Sequence, residues 1–375
     1  MASPLLTSEA RLNCLCGAIT LPGTYLLSST FPVSTITCHC NPCRQVTGGL
    51  LPIFAWLNAV PPSAVIASTT AYHFTDRCTR YFCSTCGCVC LVELPKVGKW
   101  ACTAGIIEPP VGVTDVVAIS SHGYISDTID GGLVPLLMAP KHVPLPLISV
   151  GHSNNGISPE DVLHLTKASL THPLPALGHQ LPASCHCGGV VLLISRANNT
   201  NTSTGEQPCP TTSNPSKHSA SFCACRTCRL ATGMLLQGWT HVSRNTIESA
   251  ATGAPLALTL SADAPDPDQT DTQSNIRRFQ ISNDTYLSFC GHCGATISIS
   301  GHKAGVAAAE YNNEQIRISV GILRAASGSM AREWLAWAND GEVEWLEELP
   351  DQSIRDCVQR GWGPLGLGRQ QQDIA

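Results

Sequence analysis

The sequence predicts a mainly β protein built from two tandem modules of antiparallel strands with few short helices. Its 375 residues are enough for two domains at ~100–200 residues each. Only 13% of the residues are charged, and the 31 glycines and 26 prolines favour turns and short strands over long surface helices. The strongest observation is that three cysteine elements occur twice in the same order, which indicates a duplicated domain.

The repeated elements are a Cys-x-Cys-Gly, a Cys-x-Cys-x-x-Cys-Arg and a Phe-Cys-x-x-Cys-Gly. In the first copy they run Cys14 to Gly17, Cys38 to Arg44 and Phe82 to Gly87, and in the second Cys185 to Gly188, Cys223 to Arg229 and Phe289 to Gly294. A Thr-Gly pair follows the middle element in both copies. The stretch of chain between an element of the first copy and its counterpart in the second is far longer than a solenoid repeat. Each copy is therefore predicted to be a whole domain.

The predicted boundaries follow these elements. We expect a first zinc module over residues 8–140, a Pro- and His-rich linker over 141–180, a second module over 181–348 and a C-terminal tail over 349–375. The second copy is longer by two polar segments, Asn198–Lys217 and Ala262–Asn275, which are predicted to be surface loops.

Short β-rich runs lie between the motifs. We predict strands at Gly17–Leu21, Val116–Ser120, Gly189–Ile194, Thr296–Ser300 and Ile316–Val320. Apolar residues at helical spacing predict a helix over Ala331–Trp345. A brief helical turn is expected after Cys43 and after Cys228, ended by Gly48 and Gly233.

Composition excludes several classes of protein. The net charge of −5 does not suit a protein that binds nucleic acid through charge. The most apolar region, Gly131–Gly151, contains a lysine and four prolines, so no membrane helix is predicted. No secretory signal is visible, so we expect an intracellular, cytoplasmic protein. Twenty cysteines in a reducing compartment indicate metal binding or catalysis in place of disulfides.

The outer elements of each copy predict a closed zinc site of four thiolates. A Cys-x-Cys and a Cys-x-x-Cys each place two sulfurs on one ion, and a four-thiolate site stabilises the fold and leaves no position for a substrate. The predicted ligands are Cys14, Cys16, Cys83 and Cys86, and Cys185, Cys187, Cys290 and Cys293.

The middle elements predict a second, open zinc site. Three protein ligands and one free position are typical of a catalytic zinc. The ligands are Cys38, Cys40 and Cys43 (the first triplet) and Cys223, Cys225 and Cys228 (the second triplet). His39 is not a fourth ligand because Ala224 stands in its place, which leaves water or a substrate thiol. The alternative is a folding site that a distant residue completes, for which Cys78, Cys88, Cys90 and Cys102 are available.

Further residues near the motifs allow two interpretations. Arg44 and Arg229 follow the triplets, where they could bind the carboxylate of an anionic thiol substrate or neutralise the metal–thiolate cluster. Phe82 and Phe289 are predicted to belong to the core. His39 is the candidate general acid, in the first copy alone.

This order of motifs resembles the family of glutathione-dependent formaldehyde-activating enzymes and centromere protein V. The resemblance covers both copies and implies a β-tent fold with one structural and one catalytic zinc per module, held by the four-cysteine sets and the triplets respectively. It also implies carbon–sulfur lyase chemistry, in which glutathione adds reversibly to formaldehyde. The expected partners are thus a small-molecule thiol and an electrophile, with neither nucleic acid nor membrane.

In the enzyme interpretation, the triplet ion would lower the pKa of a bound substrate thiol, which would then attack an electrophilic carbon. Two other functions remain open at this point. A non-catalytic zinc scaffold for a protein partner needs the same cysteines, as the centromere branch of the family suggests. A thiol redox or metal-buffering protein is the third candidate.

Overall fold

The computed structural model describes most of both predicted modules. The described residues are 9–28, 30–137, 147–148, 156–171, 178–197, 216–250, 253, 275–301, 315–338 and 343–362. We call residues 9–137 the first module and residues 178–362 the second module. Nearly all of the two predicted polar loops lies outside the described residues. No helix in these ranges is long and apolar enough to cross a membrane.

The first module contains a small and a large sheet. Its strands are β1 (Arg11–Asn13), β2 (Thr20–Pro22), β3 (Val33–Cys38), β4 (Ile53–Trp56), β5 (Thr69–Thr75), β6 (Cys78–Cys83), β7 (Val89–Leu94), β8 (Lys99–Thr103), β9 (Ile107–Glu108) and β10 (Val117–Gly123). The small sheet has the order β2-β1-β9, and the large one β10-β3-β4-β8-β7-β6-β5. Short helices α1 (Asn41–Thr47), α2 (Ser63–Ala67) and α3 (Val134–Leu137) lie between and after the strands.

The second module likewise contains a small and a large sheet. Helix α4 (Pro159–Thr171) precedes it, and its elements are β11 (Gln180–Ser184), β12 (Val191–Ser195), β13 (His218–Cys223), α5 (Arg226–Thr232), β14 (Gln237–Ser243), β15 (Ile247–Ser249), β16 (Ile276–Ser282), β17 (Thr285–Cys290), β18 (Thr296–Ser300), β19 (Gln315–Ser319), β20 (Leu335–Trp337), β21 (Val343–Glu344) and α6 (Gln352–Trp362). The large sheet runs β20-β13-β14-β19-β18-β17-β16, and β21 also pairs with β13. Strand for strand, this is the order of the first module's large sheet.

Most of the predicted secondary structure is confirmed. The chain is mainly β. Helices α1 and α5 begin just before the third cysteine of each triplet and end at Gly48 and Gly233, whose φ angles of 78° and 79° lie in the left-handed region. The predicted helix over Ala331–Trp345 is wrong, because this segment supplies β20 and β21. Both strands pair in parallel with β13, so backbone pairing at the sheet edge overrides the helical spacing of the apolar residues.

The strands are also not uniformly antiparallel. In the first module β10 pairs in parallel with β3, in the position that β20 and β21 occupy beside β13. The last strand of each large sheet therefore returns to the strand that carries the triplet.

Two helices lie where the sequence predicted none. Helix α4 falls within the predicted linker, and α6 falls within the predicted tail.

The two modules pack against each other through reciprocal contacts. The amide of Gly105 donates to the carbonyl of Gly233 at 3.0 Å, and the amide of Gly321 donates to that of Gly48 at 2.9 Å. A Cβ atom at Gly105 would lie 2.3 Å from the Gly233 carbonyl carbon, so only glycine permits this approach. One apolar cluster continues through both modules.

Each module also sends a buried aspartate into the other. Asp130 accepts hydrogen bonds from the Ser329 hydroxyl and the Met330 amide, at 2.9 and 2.8 Å. Asp351 in turn accepts from the amides of Val116 and Val117, at 2.7 and 2.8 Å. Both aspartates are fully buried, and these bonds satisfy their carboxylates.

Candidate metal centres

The predicted four-cysteine ligands meet in space in both modules. The sulfurs of Cys14, Cys16, Cys83 and Cys86 all lie within 4.8 Å of one another, and so do those of Cys185, Cys187, Cys290 and Cys293. The first two cysteines of each set lie after β1 or β11. The third ends β6 or β17, and the fourth lies in the turn that follows. Each site therefore joins the small sheet of its module to the large one.

The distances between the sulfur atoms suit four ligands around one metal ion and are too long for disulfide bonds. Cys16 Sγ is 3.5 Å from the sulfurs of Cys14 and Cys83, and Cys187 Sγ is 3.5 Å from those of Cys185 and Cys290. A disulfide needs ~2.0 Å. Four sulfurs at ~2.3 Å from one tetrahedral zinc lie ~3.8 Å apart. Backbone amides also donate to these sulfurs, for example those of Ile19 and Val190 at 3.3 Å, which stabilises thiolates.

The predicted triplets form two further clusters. The sulfurs of Cys38, Cys40 and Cys43 lie within 4.8 Å of one another, as do those of Cys223, Cys225 and Cys228. The first cysteine ends β3 or β13, the second caps the following helix, and the third lies in its first turn. The cap is a hydrogen bond of 3.3 Å from the amide of the third cysteine to the sulfur of the second. A strand end followed at once by a helix thus brings three sulfurs to one point.

Neither triplet gains a fourth protein ligand within the described residues. The alternative donors Cys78, Cys88, Cys90 and Cys102 are buried but do not join either cluster. The clusters therefore have the donor set of a zinc site with one position left for another ligand.

His39 contacts another histidine instead of the triplet. Its Nε2 lies 2.9 Å from Nδ1 of His122, and the two rings are stacked. Burial lowers the pKa of His122 to about 4. Burial, with smaller contributions from His122 and Arg44, lowers the pKa of His39 well below its usual value. Both imidazoles are therefore neutral at neutral pH. Sequence reasoning missed His122, because its partner is distant in the chain and no motif marks it.

The two arginines that follow the triplets are both buried but have different partners. Arg44 donates to the side chain of Asn41 and to the carbonyl of Asp127, next to the first triplet. Arg229 donates to the carbonyls of Gly105 and Ile107 and forms an ion pair of 2.9 Å with Glu108. The contacts of Arg229 are thus made with the first module, which favours a role at the module interface.

A third arginine contacts the first triplet, and sequence reasoning missed it. Nη2 of Arg80 donates to Sγ of Cys43 at 3.1 Å, and the guanidinium lies over the rings of Phe54 and Phe74. Arg80 stands three residues before Cys83, and the corresponding residue of the second copy is Leu287. A charged residue in an otherwise apolar strand was the available signal.

Each triplet is also approached by the four-cysteine site of the other module. The amide of His186, between Cys185 and Cys187, donates to the carbonyl of Gln45 just after the first triplet. The amide of Leu15, between Cys14 and Cys16, donates to the carbonyl of Leu230 just after the second. The surroundings of each triplet are thus built from both modules.

Comparison with known proteins finds a family match within the first module. Residues 9–121 match the sequence model of the glutathione-dependent formaldehyde-activating enzyme family. A crystal structure of a Rhodobacter sphaeroides protein aligns with 42% of this chain and 99% of its own, at 16% identity and a TM-score of 0.24, too weak a likeness to carry an argument. Comparison with curated proteins finds no match. The similarity to the glutathione-dependent formaldehyde-activating enzyme family thus covers part of the first module, including Cys14, Cys16, Cys83 and Cys86 and the first triplet.

Proposed function

We propose that the protein is a zinc-dependent carbon–sulfur lyase that adds a thiol such as glutathione reversibly to formaldehyde or another small electrophile. The observation that carries the proposal is the three-sulfur cluster without a fourth protein ligand in the described residues. The family match of residues 9–121 supports the same chemistry.

The residues of the chain would divide the work between them. The triplet sulfurs would hold the ion, and α1 or α5 fixes their positions. Zinc held there would supply Lewis-acid chemistry that lowers the pKa of a substrate thiol, which could then react as a thiolate at neutral pH. Cys38 is partly exposed, which gives a substrate a route to the first triplet.

The reaction balances without a redox partner. The substrate sulfur forms a bond to the carbonyl carbon of the electrophile, and the carbonyl π electrons move to its oxygen. That oxygen then takes up a proton equivalent to the one that the thiol released. The reverse reaction breaks the carbon–sulfur bond and returns the thiol and the aldehyde. Arg44, buried beside the first triplet, is the proposed partner for a carboxylate of the anionic thiol.

The test combines metal analysis with product detection. We expect four zinc ions per chain, and formation of the glutathione–formaldehyde adduct measured by NMR. Cys43→Ser should remove one zinc and sharply reduce adduct formation. Cys357→Ser, which changes a partly buried cysteine of α6, should alter neither. Two zinc ions per chain, or full activity in Cys43→Ser, would contradict the proposal, and four zinc ions without adduct formation would favour a non-catalytic zinc scaffold.

A further inference from the structure

The first triplet lies against a row of three residues that pair with one another across the large sheet. Arg80 on β6 pairs with Val92 on β7, and Val92 pairs with Ala101 on β8. Residues that pair across strands have their side chains on the same face of the sheet. Val92 and Ala101 belong to an apolar cluster against which Cys38 packs, and Arg80 donates to Cys43 Sγ at 3.1 Å. The face that carries this row is therefore the face that the first triplet contacts.

The second triplet lies against a row of the same kind in its own module. Leu287 on β17 pairs with Ile299 on β18, and Ile299 pairs with Arg317 on β19. Leu287 and Ile299 share an apolar cluster with all three cysteines of the second triplet. Because Arg317 is the cross-strand partner of Ile299, its side chain starts from the same face, and it is buried. This row therefore also brings a buried arginine to the face that the triplet contacts.

The ion pair of Arg317 shows in which direction its side chain extends. Its Nη1 lies 3.6 Å from Oε2 of Glu344. Glu344 lies on β21, where it pairs with Cys223, and its Oε1 accepts a hydrogen bond from Ser221, two residues before that cysteine. Since β14 and β13 lie between β19 and β21 in the sheet, the guanidinium extends toward β13, the strand that ends at Cys223.

The two rows carry their arginines at different positions. Arg80 and Leu287 each stand three residues before the first cysteine of their Cys-x-x-Cys. Ala101 and Arg317 each stand four residues before the glycine whose amide donates to the other module. An arginine on the first strand of one row is thus replaced by an arginine on the third strand of the other. The exchange keeps one guanidinium in each row and changes only the strand that supplies it.

We infer that Arg317 is the cation of the second triplet, as Arg80 is of the first, so that both triplets are equipped to bind an anionic thiol. The inference rests on the proposed function and extends it to both modules. Three thiolates and one zinc ion would carry a net charge of −1, and an anionic thiol would add to it. Burying this charge is costly unless a cation lies beside it. Glu344 offsets only part of the charge of Arg317, because its side chain is 30% exposed to water and that of Arg317 only 3%.

The test is calorimetric titration of the zinc-loaded full-length chain with mercaptoacetate, a small anionic thiol. A small probe is needed because the cysteines of the second triplet are at most 6% exposed. We expect two equivalents per chain. Arg317→Met, which keeps a long side chain without the charge, should weaken binding of one equivalent at least ~10-fold, and Arg80→Met should weaken the other. Arg77→Met, at an arginine whose side chain is 76% exposed, is the control and should leave both unchanged.

Moving the arginine separates its charge from its packing. Leu287→Arg combined with Arg317→Ala rebuilds the row of the first module in the second, and should restore the second equivalent. Arg80→Leu combined with Ala101→Arg rebuilds the row of the second module in the first, and should keep two equivalents. A defect of packing alone would not be repaired by an arginine on another strand.

Zinc content and thermal unfolding of each variant check that it folds. If Arg317→Met does not load zinc, the exchange between Arg80 and Ala101 in the first module decides the question independently. Native affinity at both triplets in Arg317→Met, a single equivalent in the native chain, or a single equivalent after the exchange in the first module would overturn the inference and leave the proposed function standing. If the native zinc-loaded chain binds no thiol, the proposed function fails together with the inference.

Discussion

Phe82 and Phe289 pack edge to face across the module interface, with ring centroids 6.3 Å apart and planes inclined by 66°. Each ring lies against a glycine of the opposite four-cysteine site. A Cβ atom at Gly87 would lie 2.3 Å from Phe289, and one at Gly294 would lie 2.5 Å from Phe82. The two four-cysteine clusters are thus coupled through one aromatic pair.

Gly87→Ala should destabilise the protein through this contact. The new methyl group overlaps the Phe289 ring, and overpacking of this kind costs ~1–3 kcal/mol. Gly17→Ala is a matched control, because Gly17 has nearly the same φ, 78° against 76°, but no atom within 4 Å of the place where its methyl group would lie. Urea unfolding of both zinc-loaded variants measures the difference. Equal losses of unfolding free energy in Gly87→Ala and Gly17→Ala would show that only backbone strain destabilises the protein and that the contact with the Phe289 ring does not.

Glu108→Gln should weaken the interface between the modules. Glu108 Oε1 and Oε2 accept from Arg229 and Arg226, and because the carboxylate is partly exposed we expect a loss of only about 1–2 kcal/mol. Asp76→Asn, which breaks a highly exposed ion pair with Lys96, should have little effect. The measurement is the free energy of unfolding at neutral pH, and similar losses in the two variants would contradict the prediction.

The same variant makes a prediction about pH. Burial opposes ionisation of Glu108, but the two arginines outweigh it and hold its pKa below the usual value of 4.5. A carboxylate with a lowered folded pKa stabilises the native state above its unfolded pKa, and this contribution is lost as the pH falls through the folded value. The stability difference between native protein and Glu108→Gln should therefore shrink below about pH 4.5. Acid release of zinc affects both proteins and cancels in the difference, whereas a difference that grew on acidification would contradict the assignment.

Asp351→Asn should cost more than a surface change. Asp351 accepts from three backbone amides, those of Val116, Val117 and Ile354, and an amide side chain would turn an NH₂ group toward one of them. We expect a loss of ~2–3 kcal/mol, because a buried donor is left without its acceptor. Asp356→Asn, whose side chain accepts an exposed hydrogen bond from Gln352 on α6, is the control. Thermal unfolding that shifts equally in both variants would argue against the buried contact.

Removal of a four-cysteine ligand should release one ion and destabilise the fold. Cys86→Ser breaks the site that joins the two sheets of the first module, so we expect one zinc fewer per chain and a lower unfolding temperature. Cys102→Ser changes a fully buried cysteine outside the metal clusters and should keep the full zinc content. Plasma mass spectrometry of the purified variants measures the count, and an unchanged count in Cys86→Ser would rule out this ligand.

The sequence was sufficient to predict which cysteines lie together and the local structure around them. Cysteine spacing within a turn is a local property, so the helices after Cys43 and Cys228 and their glycine ends could be predicted without tertiary information. Phe82 and Phe289 were correctly assigned to the core, since both are buried. The duplicated order of elements further constrained which cysteines could share an ion.

Contacts between distant segments could not be predicted in this way. The apolar spacing of Ala331–Trp345 suits a helix, and only pairing with β13 turns part of it into strands. Arg80 lies between two of the cysteine motifs, and its contact with Cys43 depends on how the sheet brings β6 beside the triplet. The pairing of His39 with His122 arises because β10 runs parallel to β3.

The exchange of Asp130 and Asp351 between the modules has an evolutionary consequence. In an assembly of identical subunits, every substitution appears in all copies, so an active centre cannot be lost from one subunit and kept in the other. Fusion of two copies in one polypeptide removes that restriction. Differences such as Leu287 in the second module against Arg80 in the first can then accumulate in one half alone, and the mutual anchoring of the halves through Asp130 and Asp351 keeps both as required parts of the structure.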